Sequence, residues 1–109
     1  MRVAVVGSRG IEQFDLKRVI PPDTTLIISG GATGVDTLAE RYADEKGIKK
    51  LIIRPNYELY GKSAPLLRNK LIVESADLVI AIWDGTSRGT DFTISYAKRC
   101  KKPVQVYML

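Results

Sequence analysis

The first segment of this 109-residue chain that could do chemistry is a short glycine-rich turn, Gly7-Ser8-Arg9-Gly10, directly after an apolar run. Gly7 can adopt backbone angles that other residues avoid, and it lets a ligand approach the chain closely. Ser8 offers a hydroxyl group, and Arg9 offers a forked guanidinium suited to phosphate. The turn therefore predicts an anion contact, although a plain glycine turn with an exposed arginine would have the same sequence.

A second glycine-rich segment, SGGATGVD, spans residues 29–36 and leads into an amphipathic run. Amide groups at the start of a helix bind anions, and glycines let a phosphate come near. The segment matches neither the GxGxxG dinucleotide fingerprint nor the Walker A motif. Asp36 has three open interpretations: it stabilises the first helical turn, binds a ribose, or holds a neighbouring loop. The ligand candidates in this segment are Gly30, Gly31, Thr33, Gly34 and Asp36.

The third segment, DGTSRGT, spans residues 84–90 and again joins a predicted strand to a predicted helix. Gly89 and Thr90 stand where the helix would start, so they would present amide and hydroxyl donors together. Arg88 either adds charge or is only solvated. Gly61-Lys62-Ser63 imitates the end of a Walker A motif, but Asn56 stands where that motif needs its first glycine, and we reject it. The ligand candidates in this segment are Asp84, Gly85, Gly89 and Thr90.

The composition excludes several classes of chemistry. The chain has no histidine, which removes Ser-His triads, histidine general bases and most zinc sites. Its single cysteine, Cys100, cannot form an intrachain disulfide and has no histidine to activate it. We therefore predict no metal site, no bound cofactor and no assignable catalytic residue. The net charge of +5 suits an anionic ligand without identifying one.

Apolar runs and helical stretches alternate along the chain. Strands are predicted at residues 2–6, 25–28, 50–54, 77–83 and 103–107, and helices at 11–20, 34–47, 63–76 and 89–101. The second helix is the clearest, because an apolar stripe recurs at helical spacing and Gly47 stands where a C-terminal glycine cap belongs. That stripe consists of Val35, Leu38, Ala39, Tyr42 and Ala43.

This alternation is typical of an α/β domain with a three-layer, Rossmann-like architecture. Continuous apolar strands indicate a parallel sheet covered by helices on both faces, and right-handed crossovers favour the strand order 3-2-1-4-5. We expect one domain over residues 1–109. Ligands of such sheets bind beyond the carboxyl ends of the strands, where the loops after strands one, two and four would converge. No stretch approaches the ~20 apolar residues of a membrane helix, so we expect a cytoplasmic protein with no membrane partner.

The order GSR, then SGGATGVD, then LLRNKLIVESADLVIAIWDGTSRGT, resembles the SMF/DprA–LOG (SLOG) superfamily, and most of all its small stand-alone YspA-type members. The resemblance runs from Gly7 to about Tyr107. It implies that a nucleotide or an ADP-ribose-like molecule binds on the three loops. It also assigns Arg68 and Asn69 to the site, because an arginine-containing motif stands before the fourth strand in both larger branches of the superfamily.

Our first hypothesis for this ligand also gives a position for its base and sugar. With the phosphate among the amides of the second and third loops, the base or ribose would lie near Trp83, Tyr57 or Asp36. Arg9 and Arg68 would supply charge. No reaction need follow from such binding, and we expect a binding or sensing module.

Two branches of the superfamily imply alternatives. LOG-type phosphoribohydrolases cleave the base from a nucleoside monophosphate and carry a motif like PGGxGTxxE, whose glutamate supports the chemistry. The corresponding stretch here is DGTSRGTDFT, so Phe92 and Thr93 stand where that carboxylate would be, and Asp84 and Asp91 are the only nearby acids. This departure argues against an N-glycosidic hydrolase.

DprA-like proteins bind single-stranded DNA and share the SG-x-x-x-G-[IV]-D loop and the RN pair before a strand. This chain resembles only their Rossmann-like part, so nucleic acid is the less favoured partner. Superfamily members often pair through helix faces, which makes a homo-oligomer a further expectation, although nothing in the sequence marks the surface.

Overall fold

A computed structural model describes residues 1–109 and shows a five-stranded sheet in the order β3-β2-β1-β4-β5, with every neighbouring pair parallel. The predicted Rossmann-like fold and strand order are therefore confirmed. The register places Val5 opposite Ile80 of β4, and Ala4 opposite Ile28 of β2. The strands are β1 (Arg2–Gly7), β2 (Leu26–Ser29), β3 (Lys49–Ile52), β4 (Leu78–Trp83) and β5 (Val104–Met108).

The helices are α1 (Val35–Lys46), α2 (Tyr57–Tyr60), α3 (Ala64–Ser75) and α4 (Arg88–Arg99). Gly47 ends α1 in the left-handed conformation, with φ of 66°, as its sequence position predicts. Pro65 lies in the first turn of α3, where its missing amide proton is not needed. None of the helices is both long enough and apolar enough to span a lipid bilayer.

Alternate side chains of the central strands enter two separate apolar clusters, one on each face of the sheet. Val3 and Val5 of β1 pack with α1 on one face, while Ala4 and Val6 pack with α3 and α4 on the other. Both faces of β1 and β4 are therefore buried, as expected for a parallel sheet between helical layers. The clusters hold the carboxyl ends of β1, β2 and β4 in place beneath the loops that follow them.

The predicted helix at residues 11–20 is wrong. The structure has only one 3-10 turn there, Leu16–Arg18, and the rest of the segment is irregular. Ile11, Leu16 and Ile20 are nevertheless buried against the sheet. Leu16 and Ile20 are spaced as neighbours on one helical face, but Pro21 and Pro22 leave too little chain for a stable helix after the glycine turn.

The segment at residues 55–62, which joins the predicted strand at 50–54 to the predicted helix at 63–76, contains α2 and the beginning of a 3-10 turn, Gly61–Ser63. Asn56 caps α2, because its side-chain oxygen accepts a hydrogen bond from the Leu59 amide at 3.1 Å. This compact connection leads the chain from β3 into α3 and brings Tyr57 to the carboxyl edge of the sheet.

Candidate functional site

The loops after β1, β2 and β4 meet at the carboxyl edge of the sheet, as the topology predicts, and enclose a cavity of about 470 Å³. Helix α3 closes its remaining side. We call this cavity the α4 compartment, after the helix whose first residues form its wall. Its lining includes Asp36, Leu66, Arg68, Asn69, Arg88 and Thr90.

A second cavity of about 470 Å³ lies toward β3, and we call it the β3 compartment. Arg9, Ala32 and Arg68 line both cavities and so form the partition between them. The remaining residues of the β3 compartment come from the loops after β2 and β3. They are Gly30, Gly31, Thr33, Arg54, Pro55 and Tyr57.

The start of α4 presents unused hydrogen-bond donors to the α4 compartment. The first amide of this helix with a backbone acceptor is that of Asp91, which donates to the Ser87 carbonyl at 3.1 Å. The amides of Arg88, Gly89 and Thr90 make no hydrogen bond within the protein, and no side chain caps the helix. The Thr90 residue is only 5% exposed, and its hydroxyl group, which makes no hydrogen bond within the protein, is accessible from the cavity. These donors and the helix dipole favour an anion at this position.

At the start of α1, in contrast, backbone amides already have hydrogen-bond acceptors within the protein. The Val35 amide donates to the Ser8 carbonyl at 3.4 Å, and the Ala32 amide donates to Oδ2 of Asp36 at 3.1 Å. The backbone of Ser8 and Arg9 lies so close to Gly34 that a Cβ atom there would stand 2.3 Å from the Arg9 carbonyl oxygen. The first loop thus covers the beginning of α1, and the glycines of the second loop serve this packing as well as the cavity walls.

Ser8 and Asp84 join the first and third loops below the cavity. Ser8 is 1% exposed, and its Oγ accepts a hydrogen bond from the Asp84 amide at 3.0 Å and bonds to Ser87 Oγ at 2.9 Å. The carboxylate of Asp84 accepts hydrogen bonds from the amides of Thr86 and Ser87, which hold its pKa far below the usual range. Ser8 and Asp84 thus shape the third loop and line neither compartment, whereas Ser87 lines the α4 compartment.

Arg68 is buried where the two compartments meet. Its Nη1 donates to the Gly30 carbonyl and its Nε donates to Oδ1 of Asn69 at 2.8 Å. A Cβ atom on Gly30 would stand 2.5 Å from Nη1, so the glycine makes room for the guanidinium. Burial lowers the pKa of Arg68, and the nearby carboxylate of Asp36 opposes that effect.

Asp36 lines the α4 compartment and is 7% exposed. Burial raises its pKa, while the hydrogen bond from the Ala32 amide and the charge of Arg68 act in the opposite direction. It is the one carboxylate among the residues that line the α4 compartment. Asp84 and Asp91 are the two acidic residues that the sequence places near the position of the LOG glutamate. Neither of them lines the α4 compartment.

Several predicted ligand residues lie apart from the cavities. Trp83 is half-buried, and its indole Nε1 donates to the Ser87 carbonyl at 3.0 Å. Gly85 faces Met108 at the end of β5, where its φ of +84° favours glycine. Gly7, in contrast to these two residues, does line the α4 compartment. A Cβ there would meet the Ile82 carbonyl oxygen at 2.3 Å, so its small size also serves strand packing.

Sequence reasoning missed Arg54 and the apolar wall from α3. Arg54 follows β3 by two residues, and the rule that placed the other loops at the carboxyl edge of the sheet also places it there. Pro65 and Leu66 were assigned only to a helix, and their contribution to the cavity depends on how α3 packs beside α4. No sequence signal gives that packing.

The sequence profile of the YspA, cpYpsA-related SLOG family matches residues 1–60. The chain belongs to this family. This SLOG chain is also 30% identical over 89 residues to the Gene 61 protein of Mycobacterium phage D29, in an alignment that covers 76% of this chain and 71% of the phage protein. No solved structure matches it.

The family match covers the first two loops and the residues after β3, but the start of α4 lies beyond it. Arg68 and Asn69 also lie outside the matched residues. The unused donors of this SLOG chain at α4 are therefore an observation independent of the family match.

Proposed function

We propose that this protein binds a nucleotide, or a nucleotide-derived phosphate ligand, in the α4 compartment. The observation that carries the proposal is the set of three unpartnered amides at the start of α4 together with the unpartnered hydroxyl of Thr90. A phosphate accepts hydrogen bonds from all of these donors and is stabilised by the helix dipole. Arg88 adds positive charge at the same wall.

The rest of the compartment suits a sugar and a base. Asp36 offers a carboxylate to ribose hydroxyl groups. The side-chain amide of Asn69 can form hydrogen bonds with the polar edge of a base. Pro65 and Leu66 provide an apolar wall against which a planar ring can pack. A few convergent polar groups beside apolar surface are typical of small-molecule sites, and the volume falls in their usual range of roughly 300–1,000 Å³.

The test is titration calorimetry and thermal unfolding with adenosine 5′-monophosphate (AMP) and other nucleotides. We expect Arg88→Gln and Thr90→Val to weaken AMP binding roughly tenfold each, because each removes a contact to a charged phosphate worth about 1.5–3 kcal/mol. Ligand at 100 times Kd should stabilise the wild type by ~2.7 kcal/mol.

Arg99→Gln is the matched control, since Arg99 is exposed at the other end of α4 and lines neither compartment. The control should bind as the wild type does. If no nucleotide at millimolar concentration shifts thermal unfolding, or if Arg99→Gln weakens binding as much as Arg88→Gln, the proposal is wrong.

The same incubations separate binding from LOG-like hydrolysis. Asp36 is the carboxylate in position to act on a bound nucleotide, but it accepts a hydrogen bond from the Ala32 amide and lies on a different loop from the family's glutamate motif. Chromatography of the mixtures should show intact AMP. Release of free adenine that Asp36→Asn abolishes would replace the binding function with an N-glycosidic hydrolase.

A further inference from the structure

The β3 compartment is a cavity whose charged lining groups are all guanidinium groups. Arg9, Arg54 and Arg68 line it, and no carboxylate does. Both ion pairs in the structure, Arg2–Asp77 and Lys50–Asp44, lie elsewhere. Three like charges around one cavity repel one another, and an anion placed among them relieves that repulsion.

Arg54 is held at this cavity by the backbone of the second loop. Its Nη1 donates to the Gly31 carbonyl at 3.3 Å, and its other guanidinium N–H groups make no hydrogen bond within the protein. Gly31 has a φ of +71°, and a Cβ on it would stand 2.7 Å from Nη1 of Arg54. The glycine thus lets the guanidinium lie across the loop with most of its donors free for a ligand.

Arg54 in the β3 compartment and the start of α4 in the α4 compartment are too far apart for one phosphate to contact both. Arg54 follows β3 and the start of α4 follows β4, and these strands are three sheet positions apart. Three strand spacings amount to roughly 14 Å. The compartments are nevertheless adjacent, because Arg9, Ala32 and Arg68 line both. An occupant of both must therefore carry two anionic groups with a spacer between them.

We propose that the β3 compartment binds a second phosphate of the same ligand, and that the ligand class is a dinucleotide whose two phosphates are separated by a nucleoside. This inference rests on the proposed function, which supplies the first phosphate at α4. Arg54 and Arg9 contact the second phosphate, and Tyr57, which is 57% exposed at the mouth of this cavity, offers its ring to the second base. Arg54 is thereby a specificity-determining residue.

The test compares two probes by titration calorimetry: AMP, with one phosphate, and the 5′-phosphorylated dinucleotide pApA, with two. The wild type should bind pApA at least tenfold more tightly than AMP. Arg54→Gln should weaken pApA binding tenfold or more and change AMP binding less than twofold, and Arg54→Lys should restore part of the loss. Arg41→Gln, at an exposed arginine of α1 outside both cavities, should leave both affinities unchanged.

The outcomes separate the two proposals. If the wild type binds neither probe, the proposed function fails. If AMP binds and Thr90→Val weakens it, but Arg54→Gln leaves pApA binding unchanged or weakens both probes equally, only the dinucleotide assignment fails. A 5′-phosphorylated strand of twelve nucleotides separates a free dinucleotide from the end of a nucleic acid. Binding of that strand more than tenfold tighter than pApA would overturn the dinucleotide assignment.

Discussion

At the scale of single residues, small size matters more than charge in the second loop. Gly34 has a φ of +71° and lies against the backbone of Ser8 and Arg9, while Gly30 makes room for Arg68. Glycines are expected wherever two backbones approach closely, whether or not a ligand is present. A glycine-rich motif alone therefore does not distinguish loop packing from ligand binding. The proposal of ligand binding therefore depends on the free donors at α4 and on the arginines that form no ion pair.

Gly34→Ala should destabilise the protein by about 2 kcal/mol or more, because the substitution combines an unfavourable backbone angle with a contact of 2.3 Å to the Arg9 carbonyl oxygen. Urea unfolding followed by circular dichroism measures the loss. Gly10→Ala is the matched control on the adjoining loop, since a Cβ there has no neighbour within 4 Å and its φ is not positive. Equal stability of the two variants would contradict the packing argument.

The sequence predicts the roles of some site residues better than those of others. Asp84 was expected to be a ligand residue, yet its carboxylate is used by the Thr86 and Ser87 amides. A DGTS sequence is also typical of a turn in which aspartate binds its own backbone, and that signal competed with the ligand interpretation. The spacing of residues in the sequence does not assign Arg68 to the site, because its partner Gly30 is 38 positions away in the chain. Only the family resemblance indicates a role for Arg68.

At the scale of elements, the third loop depends on the first. The Asp84 amide and the Ser87 hydroxyl both bond to Ser8 Oγ, so the end of β1 fixes the segment that leads into α4. The unused amides of α4 point into the cavity only while this segment is held. Order at the site thus depends on a side chain that lines neither compartment.

Ser8→Ala should cost about 1 kcal/mol of stability, because it leaves the Asp84 amide without its acceptor. Hydrogen exchange should become faster at the hydrogen-bonded amides of Asp84, Thr86 and Ser87 and stay unchanged in β2. Exchange measured by mass spectrometry tests this. Ser95→Ala, at an exposed position of α4, serves as the control and should alter neither stability nor exchange. Unchanged exchange at these three amides in Ser8→Ala would show that the loop holds its shape without Ser8.

The elements themselves were largely predictable. Buried parallel strands are continuous apolar runs, and all five predicted strands lie within two residues of the observed ones. The error at residues 11–20 has a physical cause. Ile11, Leu16 and Ile20 fill the sheet face from an irregular chain, and burial alone does not reveal whether a backbone is helical. The positions of Arg54 and Leu66 in the site required the packing of whole elements.

At the scale of the whole molecule, the ends of the sheet have different electrostatic roles. The carboxyl edge carries the arginines of the two compartments without ion pairs, whereas Arg2 and Asp77 form an ion pair at the amino edge. The Arg2 amide also donates to Asp77 at 2.8 Å. This pair ties the start of β1 to the residue before β4 and so connects the two central strands.

The Arg2–Asp77 pair predicts a definite response to acid. The side-chain hydrogen bond from Arg2, together with that from the Arg2 amide, lowers the pKa of Asp77 from 3.8 to about 2. A carboxyl group with a lowered folded-state pKa stabilises the fold above its unfolded pKa, and the benefit is lost as pH falls from about 3.8 through about 2. Asp77→Asn should therefore reduce stability at neutral pH and flatten the pH dependence within that window.

Urea unfolding at pH values between 2 and 6 measures this effect. Asp23→Asn is the control, since Asp23 is an exposed aspartate whose side chain forms no ion pair in the structure. It should keep the steepness of the wild-type curve. An Asp77→Asn curve parallel to that of the wild type across the window would mean that the pair contributes nothing in solution.

The partition made by Arg9 and Arg68 has a consequence for selectivity. Because the same two cations face both cavities, an ion that settles in one half neutralises part of the attraction felt in the other. Binding of one inorganic anion would therefore lower the affinity of the other cavity for a second anion, even though the two anions make no contact. A molecule that joins its anions covalently largely avoids this penalty, since the first contact raises the local concentration of the second. Such an arrangement gives a higher affinity for two linked anions than for two separate ones, and would let a protein bind its ligand in the presence of free phosphate.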